Sequence, residues 1–279
     1  MKTKPIIITG MHRSGTSLLA KILSKYIYIG NKVDVNNESL YFQRINRWLL
    51  SCNSCSWDNP LSFNDLNDKK SNILISKLNK NINKRLPSLF YFGLGNIFHN
   101  KNFFNLERKW GWKDPVNVFT LYLWSKVFKE FKIININRNP FDVSFSLLKR
   151  QKELSNIDKN IPSKHLLSPF IPLLSINKGD LYSSFKINNI DDCLKLYKKY
   201  YDQMLLNDNM FKETLNIRYE KLIINSHDEL KKVFKFCNIN TDSIDNDIKI
   251  INSRKHYNVN KNNSYNISLL NGLPEEIEY

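Results

Sequence analysis

The sequence predicts an α/β fold in three layers, a central parallel sheet flanked by helices. Three observations carry this. Short apolar runs that read as buried strands alternate with longer stretches of helical periodicity. The first such run, PIIIT, turns through GMHRSGTS (Gly10 to Ser17) straight into a helical pattern, the outline of a phosphate-binding loop. At 279 residues and 42% hydrophobic content, the chain is long enough to bury the core such a sheet needs. One domain over residues 1–279 is expected, with a lid or excursion at 154–188 and a loop-rich tail from about 252.

The elements follow in order. Residues 5–9 read as a short buried strand, and after the loop Leu18, Leu19, Ile22, Leu23 and Tyr26 recur at helical spacing. The polar stretch NKVDVNNES leads to a second helical pattern through Phe42, Ile45, Trp48 and Leu49. Residues 53–70 are turn-rich, 71–84 read as a charged helix, and 86–105 are aromatic and irregular. WGWKDPVN precedes an amphipathic helix near 117–130 and a strong strand, FKIININ, at 131–137. RNPFDVSFSLLKR turns from that strand into a helix. Prolines between 154 and 188 interrupt regular structure there. Cys193, Tyr197, Tyr200, Tyr201, Met204 and Leu205 mark a helix, TLNIRYEKL a strand and its exit, and 226–237 a further helix. Such a sheet binds ligands at the carboxyl ends of its strands.

Composition bounds the partners. The 42 Lys and Arg against 26 Asp and Glu leave a net charge of +16, which favours anionic ligands. The lysines are dispersed, without the clustered arginines and interleaved aromatics of a nucleic-acid-binding module. Cys52 and Cys55 form a C-x-x-C with no second pair at zinc-like spacing, and with Cys193 and Cys237 they suggest no disulfide framework. A reducing, cytoplasmic setting is expected. No apolar run approaches the roughly 20 residues of a spanning helix, and Arg13 interrupts the first one too early for a signal peptide.

The loop carries the chemistry. Leaving a strand and entering a helix, it points successive backbone N–H groups into one concavity, where the helix end adds partial positive charge. Gly10 and Gly15 permit the turn, and Ser14, Thr16 and Ser17 offer hydroxyl donors. A Walker loop carries lysine after its second glycine; Thr16 stands there, and Arg13 supplies the cation from the crown instead. That departure argues against ATP or GTP hydrolysis. Downstream, Arg138 ends the strand IININ and Ser146 lies eight residues on, a pair suited to grip a second phosphate. The rival from another class, a P-loop small-molecule kinase, would want that lysine and an aspartate, rather than Arg138, closing the strand.

With these residues in place, the sequence resembles the sulfotransferases dependent on PAPS (3′-phosphoadenosine 5′-phosphosulfate). PIIITGMHRSGTSLL is similar to that family's 5′-phosphosulfate loop and RNPFDVSFSLLKR to its 3′-phosphate element. NESLYFQRINRWLL and WGWKDPVNVFTLYLW resemble a bacterial or viral branch close to the carbohydrate sulfotransferases. The resemblance implies a P-loop NTPase-like fold and metal-independent in-line transfer to a hydroxyl of a glycan or small metabolite. On it, Arg13, Ser14, Gly15, Thr16 and Ser17 hold the 5′-phosphosulfate, Arg138 and Ser146 the 3′-phosphate, and Tyr219 the base or ribose. It further implies Arg13 on the leaving group and Lys113 on the transferring group. Glu38 resembles a carboxylate base, with Asp114 as its competitor; His12 reads as structural. Two departures stand out: Leu18 follows the loop where cytosolic members carry a tryptophan, and a late R-K-G element is reduced to Arg254–Lys255.

Overall fold

The computed structural model describes residues 3–63, 66–93, 103–159, 184, 186–241 and 243–253. Four strands form one parallel sheet in the order β2-β1-β3-β4: β1 Ile6–Thr9, β2 Gly111–Lys113, β3 Lys132–Asn137 and β4 Thr214–Arg218. Ile7 pairs with Trp112 on one side and Ile133 on the other, and Asn137 pairs with Arg218. β-Branched isoleucines suit strands that are covered on both faces. Their alternation sorts them between two cores: Ile7 and Ile133 point to one, and Ile6, Ile8, Ile134 and Ile136 to the other.

Ten helices complete the described chain: α1 Thr16–Leu23, α2 Leu40–Ser51, α3 Asp68–Asn83, α4 Arg85–Phe92, α5 Asn117–Val127, α6 Pro140–Lys159, α7 Ile190–Met210, α8 Tyr219–Ile224, α9 Ser226–Phe236 and α10 Asp245–Asn252. Leucines and isoleucines of α1, α8, α9 and α10 join the core under Ile6 and Ile8. The larger core, under Ile7, gathers α2, α3, α5, α6 and α7. Asn67 and Asn189 cap α3 and α7 by accepting from Lys70 N and Asp192 N, each at 2.9 Å. Helix α6 begins on Pro140, whose missing N–H costs nothing at a first helical position. Asn139 precedes it, its side chain accepting from Phe141 N at 2.9 Å.

Three elements differ from the sequence reading. Helix α5 is not amphipathic: Val118, Phe119, Leu121, Leu123 and Trp124 are all buried, as are Asn117 and Thr120. It lies between the sheet and the helices α2, α3 and α7, so it has little outward face. The stretch expected to be irregular contains α4 and a short 3-10 turn at Phe103–Asn105. WGWK supplies β2, an edge strand too short for periodicity to reveal. Most of the excursion expected at 154–188 lies outside the described residues, as do the tail from 254 and with it Arg254–Lys255. α6 itself continues to Lys159.

The chain leaves β1 for β2 on one side and then crosses to β3 on the other. Connections therefore diverge at the carboxyl end of β1, where such sheets open a crevice. An aromatic stack stiffens the floor nearby: Phe42 of α2 lies on Trp112 of β2, ring centroids 3.8 Å apart and planes 5° from parallel. Phe42 is wholly buried. Phe42→Ala should lower unfolding stability by ~3–5 kcal/mol in urea titrations, the range for a truncated core aromatic. Ile224→Ala, at a side chain 74% exposed, should stay within about 0.5 kcal/mol. Equal costs would mean the stack contributes no more than surface contact.

Candidate active site

The loop after β1 is shaped by two close approaches. At Gly10 (φ 142°) a Cβ would stand 2.2 Å from the Ile136 carbonyl oxygen of β3. At Gly15 (φ 103°) it would stand 2.3 Å from the Tyr219 ring at the exit of β4. Only glycine fits either place. Between them Arg13 holds a left-handed backbone (φ 72°), a strained conformation for a side chain of its size. Ser14 closes the turn from inside, its hydroxyl and its amide both donating to Met11 O, at 2.6 and 3.1 Å. The Ser14 hydroxyl is thus turned into the loop and does not line the cavity. The amides of Gly15, Thr16 and Ser17 donate to no described carbonyl, as at any helix start, and they lie at the cavity wall.

Each of the other strands adds a side chain at its carboxyl end. Lys113 closes β2, is 2% exposed, and donates from Nζ to Glu38 Oε1 at 2.7 Å. Weaker contacts run from the same nitrogen to Ser17 Oγ at 3.3 Å and Asn36 O at 3.4 Å. The other carboxylate oxygen of Glu38 accepts from Gln43 Nε2. Asp34 braces this wall by accepting from the amides of Glu38 at 2.8 Å and Asn36 at 2.9 Å. Arg138 follows β3, where NH2 meets Asp142 Oδ2 at 3.0 Å, one helical turn on, and its guanidinium lies 4.6 Å over the Tyr219 ring. Arg13 Nε donates to Ser146 Oγ at 2.9 Å.

These groups surround a cavity of about 600 Å³. Five cations line it: Arg13, Lys21, Lys113, Arg138 and Arg150. Asp34 and Glu38 are the acids on its wall, so the lining favours an anion. The donor set, unbonded helix-start amides plus guanidinium forks, suits phosphate and sulfate oxygens. Of the residues singled out in the sequence, Arg13, Gly15, Thr16, Ser17, Glu38, Lys113, Arg138, Ser146 and Tyr219 meet in this one cavity. Ser14 and Asp114 do not line it. Sequence reasoning missed Lys21 and Arg150, although each stands four residues after a named site residue, Ser17 and Ser146, on the same helix face.

Asp114 is held beneath this site by Val116 N at 3.0 Å on Oδ1 and Asn46 Nδ2 at 2.8 Å on Oδ2. Burial, then the neighbouring Glu38, push its carboxyl up to about 7; those two hydrogen bonds and Lys113 pull the other way. His12 lies at the cavity as well, edge-on to Trp57 with ring centroids 5.1 Å apart. The four cysteines form no disulfide.

A parallel sheet whose carboxyl edge carries such a loop defines the α/β proteins that bind phosphate-like anions for group transfer. The model of the sulfotransferase domain matches residues 3–272, and the chain belongs to that family of sulfuryl-transfer enzymes. Among solved structures it is similar to the sulfotransferase domain of the curacin biosynthetic pathway, at 14% identity and TM-score 0.47, covering 86% of this chain and 75% of that one. It is also similar to sulfotransferase STF9 from Mycobacterium avium, at 11% identity and TM-score 0.46, covering 96% and 72%. A third, mouse sulfotransferase SULT7A1 complexed with PAP, has 17% identity and TM-score 0.40, covering 90% and 63%. No curated protein matches in a sequence search. Among the described residues, no helix is long and apolar enough to cross a membrane.

The Asp114 environment makes stability depend on pH. Folding raises its proton affinity, so its contribution is fully present below the ordinary value of 3.8 and is lost as pH rises through about 7. Asp114→Asn should therefore show a flatter stability profile than the unaltered protein across that window in urea titrations. Parallel profiles would mean that Asp114 titrates as an ordinary exposed carboxyl.

Proposed function

We propose that the protein transfers the sulfuryl group of PAPS to a hydroxyl of a glycan or small metabolite, in line and without a metal. One observation supports this above the rest: the ends of all four strands deliver loop amides, Arg13, Lys113, Arg138 and Tyr219 to a single basic cavity. PAPS supplies an activated sulfuryl group and leaves as a 3′,5′-bisphosphate. The amides of Gly15, Thr16 and Ser17 hold the 5′ end, and Ser14 keeps the loop in shape through Met11. Arg138 and Ser146 take the 3′-phosphate, and Tyr219, packed on Gly15, takes the ribose or base.

The catalytic side chains act by charge and position. Arg13 offers its guanidinium to the leaving oxygen. Lys113 meets the transferring group, and Glu38 fixes the direction of its ammonium through the 2.7 Å contact. Thr16 in place of the Walker lysine, and Arg138 in place of an aspartate after β3, depart from the pattern of a magnesium-dependent P-loop kinase. The unpaired cysteines suit a reducing, cytoplasmic setting.

Incubation with PAPS and a panel of hydroxylated acceptors, read by mass spectrometry, should show the gain of one sulfuryl group. Arg13→Ala should reduce turnover by ~10²–10³, as when one transition-state donor is removed. Near-normal kcat would sink its assignment. Activity should survive EDTA; loss reversed by magnesium would revive a kinase-like mechanism.

Donor selectivity gives a sharper measurement. PAP should bind more tightly than AMP, since a charge-assisted hydrogen bond is worth about 1.5–3 kcal/mol. Arg138→Ala should shrink that preference sharply and Ser146→Ala more modestly, with AMP affinity little changed. If Arg138→Ala weakens both nucleotides equally, Arg138 supports the fold and not the 3′-phosphate.

A further inference from the structure

In-line transfer divides the cavity by role. The acceptor and the leaving oxygen stand on opposite sides of the sulfur, so the acceptor enters away from the nucleoside. The two cores of the fold mark the two sides. Tyr219 and Leu18 line the cavity from the core under Ile6 and Ile8, with Ile250 packed against it, and α1 there packs on α10. Helix α6 buries Val143 and Leu147 in the other core, under Ile7, which also holds Tyr200 with Trp57 packed against it. Those two rings contact His12, so His12 and α6 belong to the side away from Tyr219.

On that side stands a cation to which donor binding assigns no task. Asp142, Ser146 and Arg150 recur every four residues along one face of α6. Asp142 meets Arg138 at 3.0 Å and Ser146 accepts from Arg13 Nε at 2.9 Å. Arg150 follows one turn further, about 6 Å along the axis, half-buried and lining the cavity. Of the cations that lower His12, only Lys113 acts more strongly, so the charge of Arg150 lies beside His12 and not back at Arg138. Lys21, the other lining cation without a task, is on α1 with Leu18, towards the nucleoside.

Resting on the PAPS reading, we propose that Arg150 selects the acceptor, and that the acceptor is a hydroxy acid or acidic sugar whose carboxylate Arg150 receives. A guanidinium fork matches a carboxylate with two parallel bonds, which fixes the orientation of the molecule as well as its charge. A neutral acceptor would take the same place while Arg150 gave up water for a weaker bond, which discriminates against it. The acids on the wall are held on their own side of the cavity. Glu38 is paired with Lys113, and Asp34 accepts from the amides of Asn36 and Glu38.

Calorimetry on the PAP-bound protein tests this without turnover. The probes are glucuronate, galacturonate, 3-hydroxybutyrate and 4-hydroxybenzoate, each against its uncharged amide. At least one acid should bind the complex ~10-fold or more tightly than its amide, as expected of a charge-assisted bond. Arg150→Gln should remove that preference, and Arg150→Lys, which keeps the charge without the fork, should retain part of it. PAP should bind Arg150→Gln within about threefold of the unaltered protein, which also shows that the variant folds. When the favoured acid and its amide compete for PAPS, mass spectrometry should find most of the sulfuryl group on the acid.

No acid bound, acids and amides bound alike, an acid that binds without being sulfated, or a preference unchanged in Arg150→Gln overturns the proposal. So does a ~10-fold or greater loss of PAP affinity in Arg150→Gln. With AMP affinity kept, that loss makes Arg150 a further ligand of the 3′-phosphate; with both lost, Arg150 supports the fold. If the unaltered protein does not bind PAP, the sulfuryl-donor reading falls too. Absent acid preference with PAP binding intact sinks this inference alone.

Discussion

Burying Lys113 is the constraint on which the site's electrostatics depend. An ammonium taken from water must meet a carboxylate, since removing one partner of a buried pair is strongly destabilising, by about 3–5 kcal/mol. Glu38 meets it at 2.7 Å, which ties the segment after α1 to the end of β2. Asp34 then brackets Glu38 and Asn36 by their amides, so one ion pair fixes a whole wall of the cavity. The same two charges set their neighbours. Glu38 helps raise Asp114, Lys113 opposes that rise, and Lys113 leads the four cations that lower His12 after burial has done most.

The loop meets this wall because the sheet leaves it no other path. Isoleucines on both faces of β1 commit that strand to the centre, so its exit opens between β2 and β3. A side chain at Gly10 or Gly15 would collide with Ile136 or Tyr219, so the turn lies flush against the exits of β3 and β4. Tyr219 thereby serves two neighbours, with Gly15 against its ring edge and the Arg138 guanidinium over its face. Close approach puts strain into Arg13, and the buried Ser14 bonds to Met11 hold that turn in place.

What the sequence made legible follows from which signals are local. β1 and β3 are runs of isoleucine, and the glycine spacing marks the loop between a strand and a helix; each can be read within a dozen residues. β2 has three residues, so no periodicity identifies it. α4 is rich in aromatics, which are weak helix formers alone, and it is stabilised by rings contributed from elsewhere, as where Tyr91 meets Phe42 and Trp110. The pairing of Lys113 with Glu38 spans 75 residues and is visible only once the chain is folded. Asn46 is the clearest loss. In an asparagine-rich chain it carries no signal, yet it donates to Asp114 and Asn117 and accepts from Thr120 and Trp124. That network allows a helix buried nearly all round to keep polar residues inside.

Two arginines of the site hold internal partners, and the strengths of those contacts decide how each can serve an anion. Arg13 bonds a neutral hydroxyl, Ser146 Oγ, from an exposed position on the loop. That bond is charge-assisted on the arginine side alone, whereas a bond to an anionic oxygen is charge-assisted on both sides and is the stronger. An anion in the cavity would therefore compete for the Arg13 guanidinium, and taking it would free the Ser146 hydroxyl. Arg138 is bound differently. Its partner Asp142 is a carboxylate, both side chains are largely buried, and breaking the pair would strand a charge. It is anchored through NH2, its NH1 donates to Arg13 O at 3.4 Å, and its guanidinium lies over the Tyr219 ring. The two arginines thus differ in how firmly the fold holds them: Arg13 by one bond to a neutral hydroxyl, Arg138 by a buried ion pair.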